Sequence, residues 1–176
     1  MIRRLGSADV AAFREIRLEA LRSCPAAFGS SFEEELRLTA TDFAQRVAPE
    51  PPDGVFGAFA DDDAELVGIA GFRVHKNAKG RHKSMLWGVY VRPGVRGRGI
   101  ATALLRRVIE HARNTSGVEV LQLTVTAGNA AARALYDRAG FVPYGLERRA
   151  LKLGPNDYRD EELWAFDLAT ASVTSV

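Results

Sequence analysis

The 176-residue sequence has a single cysteine, Cys24, which excludes an internal disulfide framework and any zinc site built on several thiolates. A lone cysteine at a helix end reads as a small apolar filler, and no metal is expected. Long hydrophobic runs are missing as well. No stretch of eighteen apolar residues occurs, and the first twenty positions carry Arg3, Arg4, Asp9, Arg14, Glu15 and Glu19. Neither a membrane-spanning helix nor a signal peptide fits that pattern, so the expected location is the cytoplasm, with no membrane partner. An excess of one charge is also lacking. Lys and Arg number 24 against 22 Asp and Glu, and the net charge of +2 is too balanced for a nucleic-acid binder. Repeats, low-complexity segments and composition shifts are absent, so one domain over residues 1–176 is expected.

A hydrophobic fraction of 47% is enough for a sizeable core. Residues 2 to 5 read as a short strand. Ser7 is placed to cap a helix whose apolar positions Val10, Phe13, Ile16, Leu18 and Leu21 recur at helical spacing up to Cys24-Pro25. A loop containing Gly29 leads toward a helix near Glu33, a second short helix covers about 41 to 48, and the prolines of "PEPPDG" close the region. "GVFGAFA", an acidic turn at Asp61 to Asp63, and "ELVGIAGFRV" make a hairpin signal, and "SMLWGVYV" follows after a polar loop. The pattern then changes to a helix (about 99 to 114), a strand (118 to 126), a helix (about 129 to 139) and the strand-like segments "GFVPYG", "RRALKL" and "DEELWAFDL". A strand-helix-strand unit normally makes its two strands parallel.

The turn before the first of these later helices is unusual in charge. Residues 92 to 113 hold six arginines (Arg92, Arg96, Arg98, Arg106, Arg107, Arg113) and one acid, Glu110, a local positive field. A helix start offers unpaired N–H groups and about half a positive charge, and Gly97 and Gly99 would let an anion approach the backbone. Gly-x-Gly alone fits an ordinary turn with solvated arginines equally well. The stretch lacks the Gly-Lys-Ser/Thr ending of a triphosphate loop, and Thr102 stands where a dinucleotide fold has its third glycine.

What the letters Arg96-Gly97-Arg98-Gly99-Ile100-Ala101 do match is Arg/Gln-x-x-Gly-x-Gly/Ala, placed after a strand ending in Tyr90-Val91. This resembles the coenzyme A pyrophosphate loop of the GNAT superfamily of N-acetyltransferases. Farther along, "NAAARALYDRAGF", Asn129 to Phe141, is similar to the same superfamily's Asn-x-x-Ala-x-x-Leu-Tyr-x-x-x-Gly-Phe signature at every fixed position. Two motifs in the right order are far more specific than either alone.

The resemblance implies an α/β fold: a mixed, mostly antiparallel sheet of about seven strands, with one splayed parallel pair and helices on both faces. It implies acetyl-coenzyme A as co-substrate and transfer of the acetyl group to a primary amine of a small molecule or amino acid, by direct attack in a ternary complex. Backbone groups of Val89, Tyr90 and Val91 would hold the pantetheine. Arg96, Gly97, Arg98, Gly99, Ile100, Ala101 and Thr102 would hold the pyrophosphate, and Asn129 would add a contact. Gly88, inside the first of the two strands, suits a bulge. Many relatives dimerise, which leaves a homodimer open.

Acyl transfer passes through an oxyanion and expels a thiolate, so a proton donor at the sulfur helps. By the resemblance that donor is Tyr136, a phenol with an ordinary pKa near ~10; by packing alone it is a core residue. The amine needs help too, since a lysine-like amine is less than about 0.1% neutral at pH 7. Relatives that acetylate protein amino termini often carry a Glu where this chain has Thr124. Glu34, with its neighbours Glu33 and Glu35, and Glu147 remain candidates for the base. His75, His82 and Lys83 read as surface residues, and His111 receives no role. The alternatives are a non-catalytic acyl-coenzyme A sensor, acetylation of a protein amino terminus or lysine, and a different phosphate-ligand enzyme.

Overall fold

The computed structural model describes residues 1–60 and 65–169, and the acidic turn expected at Asp61 to Asp63 lies outside them. Seven strands form among the described residues: β1 (Ile2–Arg4), β2 (Gly54–Phe59), β3 (Leu66–Val74), β4 (Lys83–Val91), β5 (Val120–Thr126), β6 (Val142–Gly154) and β7 (Asp157–Asp167). They make one sheet in the order β1-β2-β3-β4-β5-β7-β6, parallel between β4 and β5 and antiparallel elsewhere. The helices are α1 (Val10–Ser23), α2 (Phe32–Leu36), α3 (Ala40–Val47), α4 (Ile100–Arg113) and α5 (Ala130–Arg138).

Both faces of the sheet are covered, and the strand pattern explains why β2 is buried along its whole length. Successive side chains point to opposite faces. Phe56 and Ala58 join the core under α4, with Leu104, Leu105, Val108, Ile109 and Ala112. Val55 and Phe59 join the second core, with Phe13, Ile16 and Ala20 of α1 and Phe43 and Val47 of α3. The α4 positions recur at the one-and-four spacing of a single helical face. Leu104 is fully buried there, so its truncation to Ala would cost roughly 2–5 kcal/mol. Trp164 lies in the same core, with its indole N–H donated to Glu162 at 3.0 Å. It is a packing residue of the interior.

Three local expectations differ from what forms. Ser7 does not cap α1; it sits in a 3₁₀ turn (Ser7–Asp9), and the Asp9 carboxylate accepts the Gly6 N–H at 2.8 Å while pairing with both ends of the Arg3 guanidinium. A carboxylate held by a bidentate Arg is the stronger organiser of that corner. The segments "GFVPYG" and "RRALKL" are not two strands but parts of one, β6, which stays paired to β7 across register shifts between Pro143 and Gly145 and between Glu147 and Leu151. Arg149 takes φ 55° within the second shift, and the Asp160 carboxylate accepts its N–H at 2.7 Å, so extra residues are absorbed as a bulge instead of ending the strand. β5 begins at Val120, two residues later than expected. No helix of the described residues is long and apolar enough to cross a membrane.

Candidate active site

β4 and β5 pair for only three residues, Lys83 to Met85 against Val120 to Gln122, and then separate. The separation begins where β4 is irregular. Ile69 faces Tyr90 and Gly71 faces Trp87, so β4 carries an extra residue at Gly88, whose φ is +65°. That is the bulge expected at this glycine, and it bends β4 away from its parallel neighbour. A cleft of about 580 Å³ fills the gap, lined by Leu86 to Val89 from β4, Thr124 to Thr126 from β5, Asn129, Ala132 and Tyr136 from the α5 region, and Glu161 from β7. Arg17, Phe28 to Ser30, Gln45 and Arg46 complete its wall from the helical side.

Beyond the end of β4, Gly97 and Gly99 adopt φ +78° and +77°, and nothing lies within 4 Å of where a Cβ would stand on either. Only glycine takes this backbone without strain, and the open space lets a ligand touch the main chain. Gly99 caps α4, and its carbonyl accepts the Ala103 N–H at 3.0 Å. The N–H groups of Ile100, Ala101 and Thr102 precede that first helical bond and have no carbonyl partner in the helix.

The arginines of this corner separate into different tasks. Arg92 is neutralised by Glu15 (2.6 Å), Glu19 (3.1 Å) and Glu65, so it ties α1 and the residue just before β3 to the turn and is no anion site. Arg96 donates its Nε to the Val91 carbonyl at 2.9 Å and lies near the Tyr90 ring, bracing the loop while staying exposed. Arg98 is exposed and makes no hydrogen bond or ion pair among the described residues, which leaves it available to an anion. The Tyr90 side chain points to the α1 side, donating its hydroxyl to Glu19 at 2.9 Å, so only its backbone could serve a ligand in the cleft.

Asn129 caps α5, its Oδ1 accepting the Ala132 N–H at 3.2 Å, and borders the cleft. Tyr136, one of the cleft-lining residues, is 7% exposed and packs against Phe141 with ring centroids 5.9 Å apart. Burial pushes its phenol up to about 12. A hydroxyl so placed stays protonated and acts as a donor.

The acids expected to supply a base are arranged differently from one another. Glu34 is exposed and spends its carboxylate on the Ser31 N–H at 3.3 Å while its own N–H binds the Ser31 hydroxyl, a capping box at the start of α2. Glu33 is exposed, and neither it nor Glu34 is among the cleft-lining residues. Glu35 is 1% exposed and locked between Arg17 (2.7 Å) and Arg46 (2.8 Å). Burial raises its pKa, but the bonds and charges of the two arginines outweigh that and hold it below the usual range. Glu147 is exposed on β6, in register with Glu161.

Glu161 is the acid that sequence reasoning missed. It lines the cleft, accepts a hydrogen bond from the Thr124 hydroxyl at 3.3 Å, and is half-buried. Burial raises its pKa; the Thr124 bond opposes and the nearby Glu147 charge adds to the rise, so the net shift is upward. β5 pairs β7 in a register that sets Thr124 opposite Leu163 and Thr126 opposite Glu161. The carboxylate absent at position 124 is thus present beside it, contributed by the next strand. No group of three or more His, Cys, Asp or Glu suited to a metal ion occurs among the described residues.

Against known proteins, a model described as the acetyltransferase (GNAT) family matches residues 13–141. The chain is 34% identical over 82 residues to the L-methionine sulfoximine/L-methionine sulfone acetyltransferase of Pseudomonas aeruginosa, a match that covers 47% of each protein. It therefore spans about half the length of that relative. Streptothricin acetyltransferase of Streptomyces lavendulae is 32% identical over 149 residues, covering 73% of this chain and 78% of the relative. Among solved structures, an acetyltransferase from Streptococcus pneumoniae shares the fold with a TM-score of 0.80 at 24% identity, over 95% of this chain and 98% of that one.

Proposed function

Because the chain belongs to the GNAT acetyltransferase family, we propose that it transfers an acetyl group from acetyl-coenzyme A to a primary amine of a small molecule, by direct attack. The observation that carries this reading is the opened β4–β5 gap, which borders Tyr136 and whose strand β4 runs on through Val91 toward the glycine loop. Past Met85 and Gln122 the facing edges of the two strands make no ladder with each other, so their N–H and C=O groups suit the amides of a pantetheine arm. The N–H groups of residues 97 to 102, with Arg98 beside them, suit the pyrophosphate. Asn129 and the backbone of Val89 to Val91 complete the proposed cofactor contacts. Acetyl-coenzyme A supplies the activated acyl group.

The chain's own residues then divide the proton traffic. Tyr136 gives a hydrogen bond to the departing sulfur. Glu161 takes a proton from the incoming ammonium, directly or through one water, and the upward shift of its pKa makes it a better base than an ordinary carboxylate. Glu34, occupied at the α2 cap, is replaced in this role. The relatives named for methionine sulfoximine and streptothricin favour small amines over protein termini.

The test is thiol release from acetyl-coenzyme A across a panel of amines, beside thermal melts with coenzyme A. Ligand at ~100 times its Kd should stabilise by about 2.7 kcal/mol, and at least one amine should release thiol. Binding without release on any amine would make the chain a sensor module. No melting shift at all would point to another phosphate ligand.

A further inference from the structure

Arg17 is the charged residue among the buried positions of α1, at 4% exposure. Its guanidinium gives Nε (3.1 Å) and Nη2 (2.7 Å) to Glu35 and lies 5.1 Å from the Phe28 ring centroid. Nη1 has no hydrogen-bond partner among the described residues. It stands 3.6 Å from the point where a Cβ on Gly88 would be, and Arg17 and Gly88 both line the cleft. Both N–H donors of Nη1, on a buried cation, are therefore left over at the bulge where β4 leaves β5.

The charge around them is also unbalanced. Glu35 is shared by Arg17 and by Arg46 at 2.8 Å, two cations on one carboxylate. Of the other charged groups on the cleft wall, Asp53 holds the Val74 N–H at 2.7 Å and Arg73 is exposed, which leaves Glu161 as the acid facing a ligand. A neutral carbonyl would answer one donor and leave the charge. A carboxylate accepts a donor and answers the charge together. A cleft with a spare cation and a spare carboxylate complements a zwitterion better than a diamine.

We propose that Arg17 Nη1 binds the carboxylate of the acceptor, so that the amine acetylated is an amino acid or a closely similar carboxylated amine. The proposal rests on the acetyltransferase reading above. The acceptor reaches Nη1 past Phe28 to Ser30, a stretch without regular structure beside the guanidinium. Arg17 is a binding residue in this scheme, and Glu35 with Phe28 positions it.

The test compares kcat/KM for the twenty common L-amino acids, each beside its α-amide and its decarboxylated amine, by thiol release from acetyl-coenzyme A. With the wild-type protein the best amino acid should exceed its amide by about tenfold or more, mainly through KM. In the double variant Arg17→Met with Glu35→Gln, which leaves no lone buried carboxylate, that ratio should fall toward one. Equal rates for acid and amide in the wild-type protein overturn the proposal while leaving the acetyltransferase reading intact. So does a ratio kept in the double variant, or a uniform loss on acid and amide alike, which would mark contact with the acetyl group. If the double variant does not fold, the wild-type comparison decides. If no amine is acetylated, the acetyltransferase reading fails and takes this inference with it.

Discussion

Replacing Tyr136 by Phe removes one oxygen from a ring that is 7% exposed and changes little else. The hydroxyl makes no hydrogen bond among the described residues and borders the cleft, so the folded protein loses no partner. Stability should change by no more than about 0.5 kcal/mol. The effect on rate follows from the phenol's raised pKa, about 12. Against a thiol of ordinary pKa near ~8.5, full proton transfer would be uphill by several kcal/mol, on the order of 5. Tyr136 should therefore act by hydrogen-bonding the developing thiolate, and solvent completes the protonation. A hydrogen bond to a charged partner contributes about 1.5–3 kcal/mol, so kcat should fall by roughly 10- to 150-fold. The KM for acetyl-coenzyme A should hold, and the pH profile below about pH 11 should keep its shape, because the phenol does not ionise there. Steady-state kinetics with both substrates saturating, beside a thermal melt, measures all of this. An unchanged kcat, or a loss expressed only in the KM for acetyl-coenzyme A, would refute the reasoning.

Glu161→Gln should cost about 100-fold in kcat/KM and abolish the acid limb of its pH profile, since the ionised carboxylate is the base and is lost as pH falls through its raised pKa. The same shift means that the folded chain binds this proton more tightly than the unfolded one, so the charged group weakens the fold above that pKa and the variant should melt no lower at pH 7. An acid limb that survives in the variant would move the base elsewhere. Gly99→Ala should cost about 1–2 kcal/mol in left-handed backbone strain and weaken coenzyme A binding by calorimetry, because the new Cβ occupies space that is open to a ligand. Unchanged affinity would separate the loop from the pyrophosphate. Glu35→Gln breaks a buried ion pair and should cost about 3–5 kcal/mol in urea unfolding at pH 7. Its folded pKa is lowered, so that contribution is present above the ordinary glutamate value and fades as pH falls through the lower folded one. The gap between variant and wild-type should close in acid; a constant gap would mean that the charge is not what stabilises.

Local chemistry made much of the fold legible. The spacing of Leu104, Leu105, Val108 and Ile109 identifies α4 because a helix face repeats within a few residues, and the strand-helix-strand order around it yields the parallel pair. Gly88 could be read as a bulge because a strand has few other uses for a glycine. The continuity of β6 was not legible. Its bulges are held by Asp160 on β7, a partner found only once the pairing is known. The corner at Asp9 failed for the same reason, since Arg3 outbids Ser7 from a neighbouring strand.

The site divides along that line. The proposed donor half uses main-chain N–H groups, and the residues that free them, Gly97 and Gly99, are neighbours in sequence, so their spacing is visible as a motif. The proposed acceptor half uses side chains from α1, α2, α3 and β7. Arg17 in the sequence is one more arginine on an amphipathic helix; only its burial against Glu35, with one nitrogen left over at Gly88, gives it a task. Glu161 in the sequence is one of several acids near the end of the chain, and only the β5–β7 register sets it beside Thr124. A base that reaches the cleft across a strand ladder has no fixed distance from the motif it serves. Thr124 at the expected position therefore carries no weight against a carboxylate in the cleft, because Glu161 reaches it from the next strand.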